Sequence, residues 1–158
     1  MSFEIDAAFP GGNVVVEGID GETVRLRPDL RDTEGGWFYW CFRVRGAQGR
    51  TLRFVFTEQE PIGVRGPAVS LDEGVSWRWL SAPPADASVF SYVFSPDASC
   101  VRFATGFAYT RLRWERFLGG LPAGTFRRDV LCLSRKGRPV ERLFAGRPDG
   151  AARCRILL

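Results

Sequence analysis

The sequence contains no histidine, and that absence decides more about its chemistry than any motif does. Without an imidazole there is no Ser-His-Asp triad, no Cys-His dyad and no His-ligated catalytic zinc within the chain. The four cysteines, Cys41, Cys100, Cys132 and Cys154, are far apart and none belongs to a C-x-x-C pair, so no zinc knuckle is expected. Three of them sit among apolar neighbours in strand-like runs, which reads as buried free thiols in a reducing, cytoplasmic compartment. Neighbouring carboxylates occur at Asp72 and Glu73 and at Glu58 and Glu60, the grouping an acid/base mechanism uses. Both sets lie in turn-rich segments where water solvates them. Gly11-Gly12 and Gly35-Gly36 are turn glycines, and neither leads into a helix as a phosphate loop does. No catalytic or metal-ligating residue is therefore assigned, and no cofactor is expected in this chain.

Binding chemistry is better represented. Trp77 and Trp79 alternate along one strand and so share a face. They form either a sugar-stacking platform or a surface that packs on a neighbouring domain, while Trp37 and Trp40 read as core. Arg65, Arg78 and Arg111 fall near loop or strand ends, and the planar guanidinium fork suits carboxylates. Of the 22 basic residues all but Lys136 are arginine, and the formal net charge is +4. These arginines are interleaved with 18 acids and form no run of like charge, so a nucleic-acid partner is not expected. The excess reads as codon usage of a GC-rich bacterial genome. No segment approaches the length of apolar run that spans a membrane, and Met-Ser-Phe-Glu-Ile-Asp at the start lacks the features of a signal peptide.

These residues need a scaffold, and 158 residues supply one domain, or one domain and part of a second. With 18 Gly and 10 Pro, the chain up to about Tyr109 alternates strand and turn. Asn13–Ile19 and Glu22–Arg27 flank an Asp20-Gly21 turn, with Val24 and Leu26 inward and Arg25 and Arg27 outward. Gly36–Arg45 is apolar on both faces until Arg43, the pattern of a central strand, and Thr51–Thr57 alternates with Leu52, Phe54 and Phe56 on one face. These two are expected to form an antiparallel hairpin. Val75–Leu80 reads as a short strand ended by Pro83-Pro84, and Val89–Phe94 and Cys100–Phe107 flank a turn at Ser95. About eight short strands at this spacing predict a two-layer antiparallel β-sandwich for residues 1–109. From 110 the texture changes: Trp114, Phe117, Leu118 and Leu121 make a helical stripe, with Thr110 as N-cap and Gly119-Gly120 as the stop. A hairpin follows, Asp129–Ser134 with Pro139–Phe144, and then a strand at Arg153–Leu158. Ile156-Leu-Leu158 is an uninterrupted apolar run of the kind buried on both faces. Residues 110–158 are thus expected to begin an α/β domain that is cut in mid-fold, with self-association through the cut strand as the symptom.

Several patterns, in fixed order, resemble the N-terminal region of M14-type zinc carboxypeptidases of the cytosolic, deglutamylase-like branch. They are Phe9-Pro-Gly-Gly-Asn13, Trp37-Phe-Tyr-Trp-Cys-Phe-Arg-Val44, Arg65-Gly-Pro67, Trp77-x-Trp79, Phe90-Ser-Tyr-Val-Phe94, and Val101-Arg-Phe-Ala104 through Phe107-Ala-Tyr-Thr110. The hairpin Leu131–Val140 resembles the first one of the family's catalytic domain. Ala108 departs from the family, which carries proline there, and the Arg65 loop lacks its Gly-Met dipeptide. In that family the strand resembled by Arg153–Leu158 leads into a His-x-x-Glu zinc motif, which this sequence does not contain. The resemblance implies a non-catalytic accessory domain that packs on a zinc-dependent hydrolase domain in cis and shapes access to its cleft. It also implies acidic peptide tails as partners, with Arg65, Trp77, Arg78, Trp79, Tyr109 and Arg111 as contacts to the tail or the domain. The alternative is an independent sandwich that binds carbohydrate or peptide, favoured if Trp77 and Trp79 form an exposed coplanar pair.

Overall fold

The structure, a computed structural model, describes residues 2–31, 33–80 and 85–145. The strand expected at Arg153–Leu158, with Cys154, and the Pro83-Pro84 stop lie outside the described residues. The elements in chain order are β1 (Glu4–Asp6), β2 (Val15–Asp20), β3 (Thr23–Arg27), β4 (Cys41–Arg45), β5 (Thr51–Phe56), β6 (Ala68–Ser70), β7 (Arg78–Trp79), β8 (Val89–Val93), β9 (Cys100–Ala104), α1 (Arg111–Gly119), β10 (Phe126–Leu133) and β11 (Pro139–Ala145). The fold is mainly β, and the chain divides into two compact units, Met1–Arg113 and Trp114–Leu158.

The first unit holds two sheets, one in the order β1-β4-β9-β6-β7 and one in the order β2-β3-β5-β8. The β2–β3 hairpin turns at Gly21, whose φ of +59° suits a residue without a Cβ. It buries Val24 and Leu26 completely while Arg25 stays exposed, as its alternation predicts. One pair is parallel, β3 with β5, so the all-antiparallel expectation needs correction.

The expected hairpin between β4 and β5 does not form. β4 pairs with β1 and β9, whereas β5 pairs with β3 and β8. Both strands are apolar on their inner faces, and they meet face to face instead of edge to edge. Phe42 and Phe54 stand with ring centroids 5.2 Å apart, and Phe103 lies 5.4 Å from both. Trp40, Phe56, Phe90 and Phe94 complete an aromatic core drawn from both sheets. Burying each such side chain contributes roughly 2–3 kcal/mol. Short connections carry the chain between the sheets; Gly46 and Gly49, with φ of +71° and +73°, allow the one from β4 to β5.

The long apolar run also ends sooner than its composition suggests. β4 begins at Cys41, opposite the last residue of β9, Ala104, so residues 36–40 run past the edge of the sheet. Trp40 stays in the core because its indole NH donates to Pro61 O at 3.0 Å. Trp37, expected in the core, is 37% exposed and stacks on the exposed ring of Phe38.

The second unit starts within α1, which carries its expected apolar stripe, with Trp114 and Phe117 stacked, and which ends where Gly120 N donates to Arg116 O. β10 and β11 pair antiparallel with a bulge between Val130 and Cys132. Of the thiols expected to be buried, Cys41 is, Cys100 is half-buried and Cys132 is exposed. The reason is that β10 belongs to a two-stranded sheet, which has little surface with which to cover its side chains.

Candidate functional site

The structure gathers some of the anticipated contact residues and separates others. Trp79, at the end of β7, stacks on Phe107 with centroids 5.0 Å apart and planes 28° apart. Arg65 lies over the same indole, 5.8 Å from its centroid, within cation–π reach. Gly106 runs beside this stack, its Cβ position 3.8 Å from the Trp79 ring. Tyr109 is exposed and carries Arg113 over its ring at 5.4 Å. Arg111 opens α1 and is exposed, and Arg78 is exposed on β7. Trp77 lies in the loop joining β6 to β7, where its indole NH donates to Gly74 O at 3.2 Å. The two indoles therefore pack against different neighbours.

The carboxylates are committed to structure. Asp72 accepts from Ser70 Oγ at 2.8 Å and from Ser76 N and Oγ at 2.9 and 2.5 Å. Burial alone would raise its pKa, but these hydrogen bonds outweigh burial and hold it down at about 2, too low for a proton donor at neutral pH. Glu73, at φ +60°, pairs with Arg102 at 3.0 Å. Burial likewise pushes the Cys41 thiol up to about 12, against the pull of Arg102 and of a hydrogen bond with Tyr39. It is no thiolate nucleophile. Tyr39, raised to about 12 by burial and by Cys41, donates its hydroxyl proton to Gly11 O at 2.6 Å. Among the described residues no three of His, Cys, Asp or Glu gather where a metal could sit. With no histidine in the sequence, a catalytic zinc does not fit the residues present.

What these residues form is a set of aromatic rings and guanidiniums near strand ends. Comparison with solved structures places it. Over 96% of its length the chain is similar to a metallo-carboxypeptidase from Burkholderia cenocepacia, with a TM-score of 0.76 and 24% identity. The fold is that of part of a metallo-carboxypeptidase. Over 92% of its length it is also similar to a metallo-carboxypeptidase from Pseudomonas aeruginosa, solved in complex with (2-guanidinoethylmercapto)succinic acid, with a TM-score of 0.65 and 28% identity. The chain spans 41% of each of these proteins. No protein-family model matches the sequence, and no curated protein matches it.

Sequence reasoning named Arg65 and Trp79 but missed Phe107, which stacks on Trp79. It read Phe107 as the end of a strand, whereas β9 stops at Ala104 and Phe107 lies beyond it. Trp37 and Phe38 were missed as surface residues because an apolar run signals burial until the end of its partner strand is known. Among the described residues no helix is long and apolar enough to cross a membrane.

Proposed function

We propose that this chain is the non-catalytic accessory portion of a zinc metallo-carboxypeptidase, packing on the hydrolase portion and shaping access to its cleft. The observation that carries this reading is the match of nearly the whole chain to 41% of a metallo-carboxypeptidase, in a sequence with no histidine. The two sheets of the first unit then form the accessory β-sandwich, and α1 with β10 and β11 opens the hydrolase domain. Peptide C-terminal tails, acidic ones included, are the substrate class the arginines at strand ends would help to attract. Free thiols at Cys41, Cys100 and Cys132 agree with a reducing, cytoplasmic location.

The test is the gene beyond codon 158. An in-frame His-x-x-Glu soon after Leu158, and zinc-dependent release of C-terminal residues by the full-length product but not by this chain, are the expected results. A gene whose product ends here, or continues without zinc ligands, overturns the reading.

A further inference from the structure

The two sheets of the first unit end in four edge strands among the described residues, β1 and β7 on one sheet and β2 and β8 on the other. An edge strand leaves a row of backbone donors and acceptors outside the ladder, and proteins blunt such rows with shortness, charge or a bulge. Three of the four are blunted. β1 has three residues, Glu4 and Asp6 among them, and β7 has two, the first of them Arg78. β2 carries Glu17 and Asp20 and is interrupted by a bulge between Val16 and Gly18. β8 has none of these devices. It runs for five residues in unbroken register with β5, inside a stretch, residues 87–95, that holds no charged side chain and no proline.

The ladder fixes which way the backbone of β8 faces. Phe56 N donates to Ser88 O and Phe94 N to Arg50 O, each at 2.8 Å. Ser88, Phe90, Tyr92 and Phe94 therefore turn their polar groups to β5, and the residues between them turn theirs outward. Two outward groups are used nearby: Ala87 O accepts from Ile62 N at 3.0 Å, and Val89 N donates to Asp86 O at 3.2 Å. Among the described residues, that leaves Val89 O and both polar groups of Ser91 and Val93 open. Ser91 is exposed, and Val93 is 72% exposed.

We infer that this open edge pairs with the same edge of a second copy of the chain, joining two four-stranded sheets into one. The sequence of β8, Val-Phe-Ser-Tyr-Val, reads alike in both directions about Ser91, the symmetry that an antiparallel two-fold interface demands. With Ser91 opposite Ser91 of the partner subunit, the two residues exchange a pair of backbone bonds. Val93 N then meets Val89 O of the partner subunit, once on each side of the two-fold. On the solvent side Val89 faces Val93 of the partner subunit, and on the core side Phe90 faces Tyr92 of the partner subunit, pairings that stabilise neighbouring strands. Charge does not oppose the contact: the cation beside the centre of the edge is Arg53, opposite Ser91 on β5. Two such arginines would stand three strand spacings apart, about 14 Å, beyond the screening length at physiological salt. An extended peptide can supply backbone bonds, but only a second copy matches the symmetry of the strand. The inference is independent of the function proposed above.

Sedimentation velocity and hydrogen exchange of the chain over a concentration series test it. The dimer should be half formed at roughly 100 μM, because a five-residue edge buries less than a standard interface. The Ser91 and Val93 amides should exchange quickly in the dilute chain and slow several-fold as it assembles, while the Phe90 and Tyr92 amides stay slow throughout. Val93→Lys, at a position already in water, should abolish assembly and leave Trp40 fluorescence unchanged. Adding Val89→Glu should restore assembly, since the two new charges are neighbours only across the two-fold. The exchange readings on the wild type stand whether or not a variant folds. A chain that stays monomeric throughout, or Ser91 and Val93 amides that are slow even when dilute, overturns the inference. Assembly that persists in Val93→Lys places the contact elsewhere, as at the strand expected for Arg153–Leu158, and a double variant that stays monomeric contradicts the register; either overturns it. Slowing of the two amides by an added polyglutamate peptide, without assembly at any concentration, identifies a peptide as the occupant and overturns it as well.

Discussion

Arg43 on β4 and Arg102 on β9 stand directly opposite each other in the ladder, two cations on one face of a sheet. Like charges so placed repel, and the structure answers with three groups. Asp6 takes Arg43 at 2.7 Å and Glu73 takes Arg102 at 3.0 Å, while both guanidiniums lie over the ring of Phe9, 5.2 and 4.4 Å from its centroid. The Nε of Arg102 is buried without a hydrogen-bond partner, which leaves the π face as its compensation. Phe9→Leu keeps most of the apolar volume and removes that face, so it should cost about 1 kcal/mol. In an Arg102→Met background the cost should shrink. Equal costs in both backgrounds, read from denaturant midpoints, would mean that the ring acts through packing alone.

Trp40 and Trp37 lie three residues apart and should behave very differently. Trp40 is fully buried against Phe56 and Phe90, and its replacement by Ala should destabilise the first unit by about 3–5 kcal/mol. Trp37→Ala should stay within about 1 kcal/mol, since the ring is partly in water and rests on another exposed ring. Urea melts decide this, and equal losses would place Trp37 in the core after all.

That contrast shows how far the sequence could be read. Alternation marked Val24, Leu26, Leu52, Phe54 and Phe56 as inward, because a half-exposed strand announces its faces. It was silent on which strand pairs with which: β4 and β5 look like a hairpin from their short connection, and only the positions of β1, β3, β8 and β9 show that they belong to different sheets. The helix was legible from its stripe and glycine stop. The exposure of Trp37, Phe38 and Phe107 was not, since they lie within apolar runs whose strands stop short of them.

Acid should weaken the fold through Asp72. Its folded-state pKa of about 2 lies below the ordinary 3.8, so its stabilisation is fully present above the ordinary value and is lost as pH falls through the folded one. Asp6 is held low as well: burial opposes this, but the hydrogen bonds from Arg43 and from the Ala8 amide prevail. Asp72→Asn should lower the urea midpoint at pH 7 and flatten its decline between pH 3.8 and about 2. If the variant and wild type decline in parallel, the Ser70–Ser76 loop does not depend on that carboxylate.

Within the second unit, Arg128 joins helix to hairpin. Its guanidinium meets both oxygens of Glu115 on α1, at 2.9 and 3.2 Å, and Glu141 on β11 at 2.5 Å. Trp114 donates its indole NH to the other Glu141 oxygen at 3.2 Å. Arg128→Met should release both acids and redshift Trp114 fluorescence, and hydrogen exchange should quicken in β10 and β11 while β4 and β9 stay protected. High salt should mimic part of this effect in the wild type, because the pairs are partly exposed. An unchanged hairpin in the variant would mean that apolar packing of α1 alone holds it.

The cysteines should separate by reactivity in the folded protein. Cys132 is exposed on β10, so a thiol reagent reaches it directly. Cys41 is 1% exposed, and its thiol, raised to about 12 by burial, offers almost no thiolate at neutral pH. Brief labelling at pH 7.5 with iodoacetamide, read peptide by peptide by mass spectrometry, should modify Cys132 and leave Cys41 untouched until denaturant is added. Because the β4–β9 pairing holds Cys41, the denaturant concentration at which it becomes reactive should coincide with the loss of Trp40 burial by fluorescence. Labelling of Cys41 well below that concentration would show that β4 opens locally, ahead of the aromatic core it covers.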